Sequence, residues 1–184
     1  CSALAFGFIA RMLVGGSSPH SEMATYTAAM QICALVAFPS VILGKVSLPL
    51  FVHAALADSK TASAISPVTT SFISLSITAV MAAGAFLATP QLVAVYGGSI
   101  FPDRHVFLLF LSATFLSAPA MLIGNFLVAN RRQLPWAITS ASALAAVVVV
   151  GIVAEEHDVN WAACALIAYY LVFLLAGPLM LRRR

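Results

Sequence analysis

The 184-residue chain is 62% hydrophobic and only 8% charged, with a mean hydropathy of +1.04. Soluble domains run about 45–50% apolar and about 25% charged, so a soluble fold of this size could not hide so much apolar surface. The net charge of +3 sits at the ends of apolar runs, a pattern of membrane orientation rather than nucleic-acid binding.

The apolar runs are long and continuous, which predicts helices rather than the short alternating strands of an outer-membrane barrel. Six are expected, at about 3–16, 23–44, 67–88, 106–129, 134–154 and 159–181. The first is short for a span. The chain opens on Cys1 in mid-run with no charged leader, and the simplest account is a fragment with a truncated first helix. Gly15-Gly16-Ser17-Ser18-Pro19 breaks the first run from the second; Ser18 suits a cap, Pro19 the first helical position, and Glu22 the first turn. From Met23 to Lys45 is about 33 Å of helix, close to a full bilayer core, so Lys45 should emerge at the interface. Pro39 is a candidate kink, and at Pro49 the helix is expected to bend and continue along the interface to Leu56. Tyr96–Ser99 and Pro102–His105 form the longest loop. Asp58–Thr61, Asn130–Gln133 and Glu155–Asp158 are the remaining turns, and none is long enough for a soluble domain.

Orientation follows from Lys and Arg. With Arg182, Arg183 and Arg184 in the cytoplasm, counting back puts Lys45, Lys60, Arg131 and Arg132 there too. The outer side receives Arg104, with Arg11 somewhat inside the membrane, so the positive-inside bias is seven against one or two. Both ends of the six-helix set are then cytoplasmic.

Polar groups within the spans are the candidate functional residues. Arg11 lies five residues from Gly16, about 7 Å below the outer surface. It either snorkels to headgroups or faces a water-filled cavity that takes an anion. Thr27 and Gln31 share one helix face, as do Ser71, Ser74 and Thr78, in the manner of helix–helix contacts. Tyr169 and Tyr170 sit mid-span, away from the interfacial belt where Tyr is usual. Pro119 interrupts the hydrogen bonding of the fourth span and is a candidate hinge with Pro39, while Asn125 suits an interhelical contact. Cys1, Cys33 and Cys164 have no ligand or disulfide spacing, and Glu155-Glu156-His157-Asp158 reads as a solvated turn. No phosphate-binding Gly loop, nucleophile elbow or HExxH occurs, so neither an enzyme nor a cofactor or metal is expected.

The order of features resembles the polysaccharide flippase branch of the multidrug/oligosaccharidyl-lipid/polysaccharide exporter superfamily. Ile9–Gly15 is similar to the "DRxxLG" start of its C-terminal lobe, and Met23-Ala24-Thr25-Tyr26 to the "xGxY" opening of the next helix. Leu48–Phe51 with Asp58 resembles the proline exit and acidic loop. Val95–Phe101 is similar to the "lyGxxF" loop, Ala129–Arg132 to the "a.gr" turn, and Trp161–Ala165 to the "GaAxA" start of the last helix. Ala10 stands where the family often has an acid, and Trp161 where it often has Gly. The resemblance implies an all-α six-helix lobe of a two-lobed transporter whose other, N-terminal lobe lies upstream. It further implies alternating access in a bacterial cytoplasmic membrane, with membrane lipids around it and a lipid-linked glycan as substrate. Arg11, Tyr26 and Gln31 are then candidate substrate contacts, with Tyr169 and Tyr170 behind them. A multidrug or cation antiporter of the same superfamily and a membrane-embedded glycan polymerase or ligase are the alternatives. The former would want buried carboxylates, and the latter a larger outer loop.

Overall fold

The computed structural model describes residues 20–56, 67–153 and 159–182. All of their regular structure is helical: α1 His20–Leu56, α2 Pro67–Leu87, α3 Thr89–Tyr96, α4 Arg104–Ala129, α5 Gln133–Val153 and α6 Val159–Arg182. Five of them, all but α3, are long and apolar enough to cross a membrane, so the chain is an all-α multi-pass membrane bundle. The five longer expected spans match α1, α2, α4, α5 and α6. The expected first helix, the Ser18–Pro19 cap and the Glu155–Asp158 turn lie outside the described residues.

Two findings differ from expectation. The first is in α1, which continues past Lys45 to Leu56 as expected, but with no break in the helix at Pro49. It runs for 37 residues, about 55 Å, as one helix through both Pro39 and Pro49. A proline removes one backbone donor, and within a packed apolar bundle the remaining i→i−4 bonds carry the helix on. Beyond Lys45, Phe51 is buried edge-on against Phe126 with ring centroids 5.6 Å apart, so this part of α1 still packs on α4. The second is α3, which sequence reading left within the connection after α2. Thr89 Oγ1 donates to Phe86 O at 2.6 Å and Pro90 stands in the first turn. Gly97, at φ +84°, ends the helix with its N–H on Val93 O, a backbone conformation open to glycine at little cost.

The central element is α4, which packs against α1, α2 and α6 along much of its length and touches α5 near its end. Direction can be read from the contacts. Tyr26 meets Phe110, Asn125 reaches Gly44 and Phe51 meets Phe126, so α1 and α4 ascend together and run parallel. Arg104 lies over Phe86, so α2 is antiparallel to both. Small residues permit the close approach. Ala113, Ala118 and Ala120 on α4 and Ala162, Ala163 and Ala165 on α6 are all buried. Apolar side chains cover the outside instead, among them Leu35, Phe38, Ile42 and Val46 on α1, as a surrounding of acyl chains requires.

Aromatic rings fill the end of the bundle that carries Arg104. Tyr26 and Phe107 are fully buried, and Phe101 packs on Phe107 at 5.1 Å and on Tyr96 at 6.5 Å. Polar contacts hold the opposite half. Ser40 Oγ lies 2.5 Å from Thr78 Oγ1 and 3.3 Å from Ser74 O, within donor reach of either, joining α1 to α2. Asn125 Nδ2 donates to Gly44 O at 3.0 Å, joining α4 to α1. The Ser74–Thr78 stripe is thus a helix contact, buried against α1.

Candidate functional site

A cavity of about 440 Å³ opens between α1 and α6, with α4 as its floor and Trp136 of α5 at its side. Its α4 lining runs from Ser117 to Val128, about 16 Å along the helix, toward the end that carries Arg131 and Arg132. Two internal prolines, Pro39 of α1 and Pro119 of α4, flank it. Ala37, Ser40 and Val41 bracket Pro39, while Ser117, Ala118 and Ala120 bracket Pro119. A proline loosens the hydrogen bonding of its helix, so the walls of this cavity are the places where α1 and α4 bend most easily.

The lining combines aromatic faces with few polar groups. Tyr169 and Tyr170 stand edge-on to one another, centroids 5.2 Å apart at 85°, and Phe173 follows one turn on at 6.5 Å from Tyr169. Two rings lie over Gly124 of α4: a Cβ there would be in ordinary contact with both, 3.4 Å from Trp136 Nε1 and 3.5 Å from Phe173 Cζ. Ser40 and Asn125 supply the hydroxyl and amide, and each already bonds within the protein. Such a cavity offers stacking surfaces and a few orienting hydrogen bonds, the usual make-up of an organic ligand site.

The structure therefore brings together Tyr169, Tyr170 and the segments beside Pro39 and Pro119 around the cavity, and it leaves the other described candidates out of the lining. Tyr26 is fully buried, its ring edge-on to Phe110 at 5.9 Å in the aromatic end of the bundle. Gln31 is exposed, and its Oε1 accepts a 3.3 Å hydrogen bond from Tyr96 Oη, tying α1 to α3. Neither lines the cavity. Arg11 lies outside the described residues. Sequence reasoning passed over Trp136, Phe173 and Ser40. The first stands one turn after Arg131-Arg132, where an interfacial Trp is ordinary, and the other two sit in apolar runs without a distinguishing period. Among the described residues no cluster of His, Cys, Asp and Glu could hold a metal ion.

Comparisons with models of known protein families, with curated proteins and with solved structures return no match.

Proposed function

We propose that this chain is one lobe of a two-lobed membrane transporter that carries a lipid-linked oligosaccharide or polysaccharide precursor across a bacterial cytoplasmic membrane by alternating access. The observation that supports this reading best is the cavity itself, with Tyr169, Tyr170, Phe173 and Trp136 facing a common space between two proline-flanked walls. Sugar rings present apolar faces that stack on aromatic side chains, and their hydroxyls seek amides and hydroxyls of the kind that Asn125 and Ser40 carry. The positive-inside bias puts the Arg131 end in the cytoplasm, where such a precursor would enter.

The test is flipping of a lipid-linked glycan in cells or vesicles by the protein with its full lobe pair. Tyr170→Ala and Trp136→Ala should each lower flipping about tenfold or more while expression and membrane insertion stay unchanged. Flipping equal to wild type in both variants would remove the cavity from the transport path. Drug efflux driven by sodium or protons, with no glycan phenotype, would favour the antiporter instead.

A further inference from the structure

A second concavity lies on the outside of the bundle, between α2 and α4, with a volume of about 480 Å³. Its floor is Ala79, Ala82 and Ala83, whose short side chains leave the space. Its wall is Leu108, Leu111 and Phe115. The one hydroxyl on it, Ser112 Oγ, is turned back to Leu108 O at 2.8 Å, so the groove offers a ligand almost nothing but hydrocarbon. Along α4 the lined stretch, Leu108 to Leu116, is about 12 Å, most of the roughly 15 Å depth of one leaflet.

A cation stands over the mouth. The guanidinium of Arg104 lies 4.7 Å above the ring of Phe86, itself a lining residue, and one turn before Leu108. The ring attracts the guanidinium through its π face, and the guanidinium keeps N–H donors, more than one contact with a ring can use. Their fork matches a phosphate, with two parallel N–H···O bonds. An apolar slot one leaflet deep, with an arginine fixed one turn above it, has the layout of a single phospholipid: acyl chain below, phosphate above.

We propose that the α2–α4 groove is a binding site for one anionic phospholipid of the leaflet at the Arg104 end, with an acyl chain between Ala82 and Leu111 and the phosphate on Arg104. The occupant is argued from the match of charge and depth, and it does not depend on what the cavity between α1 and α6 transports. A second copy of the chain is the rival occupant.

The experiment is native mass spectrometry of the detergent-purified full chain titrated with phosphatidylglycerol. Wild type should show one saturable lipid. Arg104→Gln should weaken that binding about fivefold, the share expected of one interfacial cation. Ala83→Leu, at an exposed position on the floor, should weaken it at least as much by filling the slot. Arg131→Gln, at the opposite end, should bind as wild type. No saturable lipid on wild type, or unchanged binding by Arg104→Gln, would overturn the site. Loss with Arg104→Gln but not with Ala83→Leu would overturn it too, leaving a headgroup contact without a groove. A Ser112→Cys variant that oxidises to a dimer in the membrane would give the groove to a second copy.

Discussion

Asn125 reaches across from α4 to the backbone of α1, donating its amide to Gly44 O at 3.0 Å. The approach depends on Gly44, because a Cβ there would run into the methyl of Met121 and lie 3.2 Å from the Asn125 amide nitrogen. Gly44 O also accepts from Ser47 Oγ at 3.1 Å, so it keeps a partner when the amide is lost. Asn125→Ala should therefore cost near the lower end of about 0.6–1.7 kcal/mol, the range of interhelical side-chain bonds in membrane bundles. Unfolding in mixed micelles would measure it, and a loss above about 3 kcal/mol would mean that Asn125 supports more than this bond. Arg131 offers a change of the opposite sign. It sits at φ +56° between α4 and α5. The N–H of Arg132 bonds Leu127 O at 2.9 Å and that of Arg131 bonds Val128 O at 3.0 Å, the pairing of a helix end built around a left-handed residue. A non-glycine residue pays about 1–2 kcal/mol for that conformation, and glycine returns about 0.4–1 of it through the freer unfolded chain. Arg131→Gly should thus stabilise the bundle by up to about 1 kcal/mol, seen as a higher midpoint of thermal unfolding. A lower midpoint would show that the Arg131 side chain contributes more than its backbone costs.

Between elements, the hydroxyl bridge of Ser40 and Thr78 is where α1 and α2 are fixed to each other in register. Both side chains are buried, and Thr78 Oγ1 also bonds Ser74 O on its own helix at 2.9 Å. That second acceptor means that Ser40→Ala leaves Thr78 satisfied, whereas Thr78→Val leaves Ser40 with only Ser74 O at 3.3 Å. A double-mutant cycle on the two should give a coupling of about 0.6 kcal/mol, and a coupling of zero would mean that the contact is packing alone. How much of this was legible beforehand follows from the physics of each signal. Spans were readable because about 20 apolar residues in a row are required to cross a bilayer and little else produces them. The Ser74–Thr78 face was readable because four-residue spacing puts both on one side of a helix. By contrast, the packing of Phe51 on Phe126 that holds the far end of α1 on α4 was not legible, since a sequence shows the lost donor at a proline but not the contact beyond it. The helix α3 was missed because eight residues are too few for a periodic signal. The cavity was half legible: Tyr169 and Tyr170 stood out as aromatic hydroxyls at mid-span, but Tyr26, put forward with the family resemblance, is core and off the cavity, and Tyr169 is itself largely buried where it lines it. Which tyrosine faces space depends on how α1 and α6 pack on α4, and that pairing is not written in either helix alone.

At the scale of the whole molecule, the directions of the helices gather the polar landmarks at two ends. Asp103, Arg104 and the α3 connection share one end, and the turn of Asn130, Arg131 and Arg132 lies at the other, toward which the lining of the α1–α6 cavity runs. The positive-inside rule counts Lys and Arg near the ends of spans, and the turn at Arg131 and Arg132 supplies two of the seven on its side. Ser99→Cys and Gln133→Cys, both at exposed positions in connections or at their edge, report the two ends. In a background with Cys1, Cys33 and Cys164 replaced, a membrane-impermeant maleimide should label Ser99→Cys in intact cells, and Gln133→Cys only after permeabilisation. Adding Arg131→Gln and Arg132→Gln should leave that pattern unchanged, because in the sequence count Lys45, Lys60 and the three terminal arginines still outnumber Arg104 and Arg11. Labelling of Gln133→Cys in intact cells would invert the bundle. The Arg131 end of the cavity would then lie toward the outside, and the Arg104 groove would face the inner leaflet. Entry of a cytoplasmic precursor through the α1–α6 opening would fail with it, since the aromatic packing of Tyr26, Phe101 and Phe107 fills the other end of the bundle.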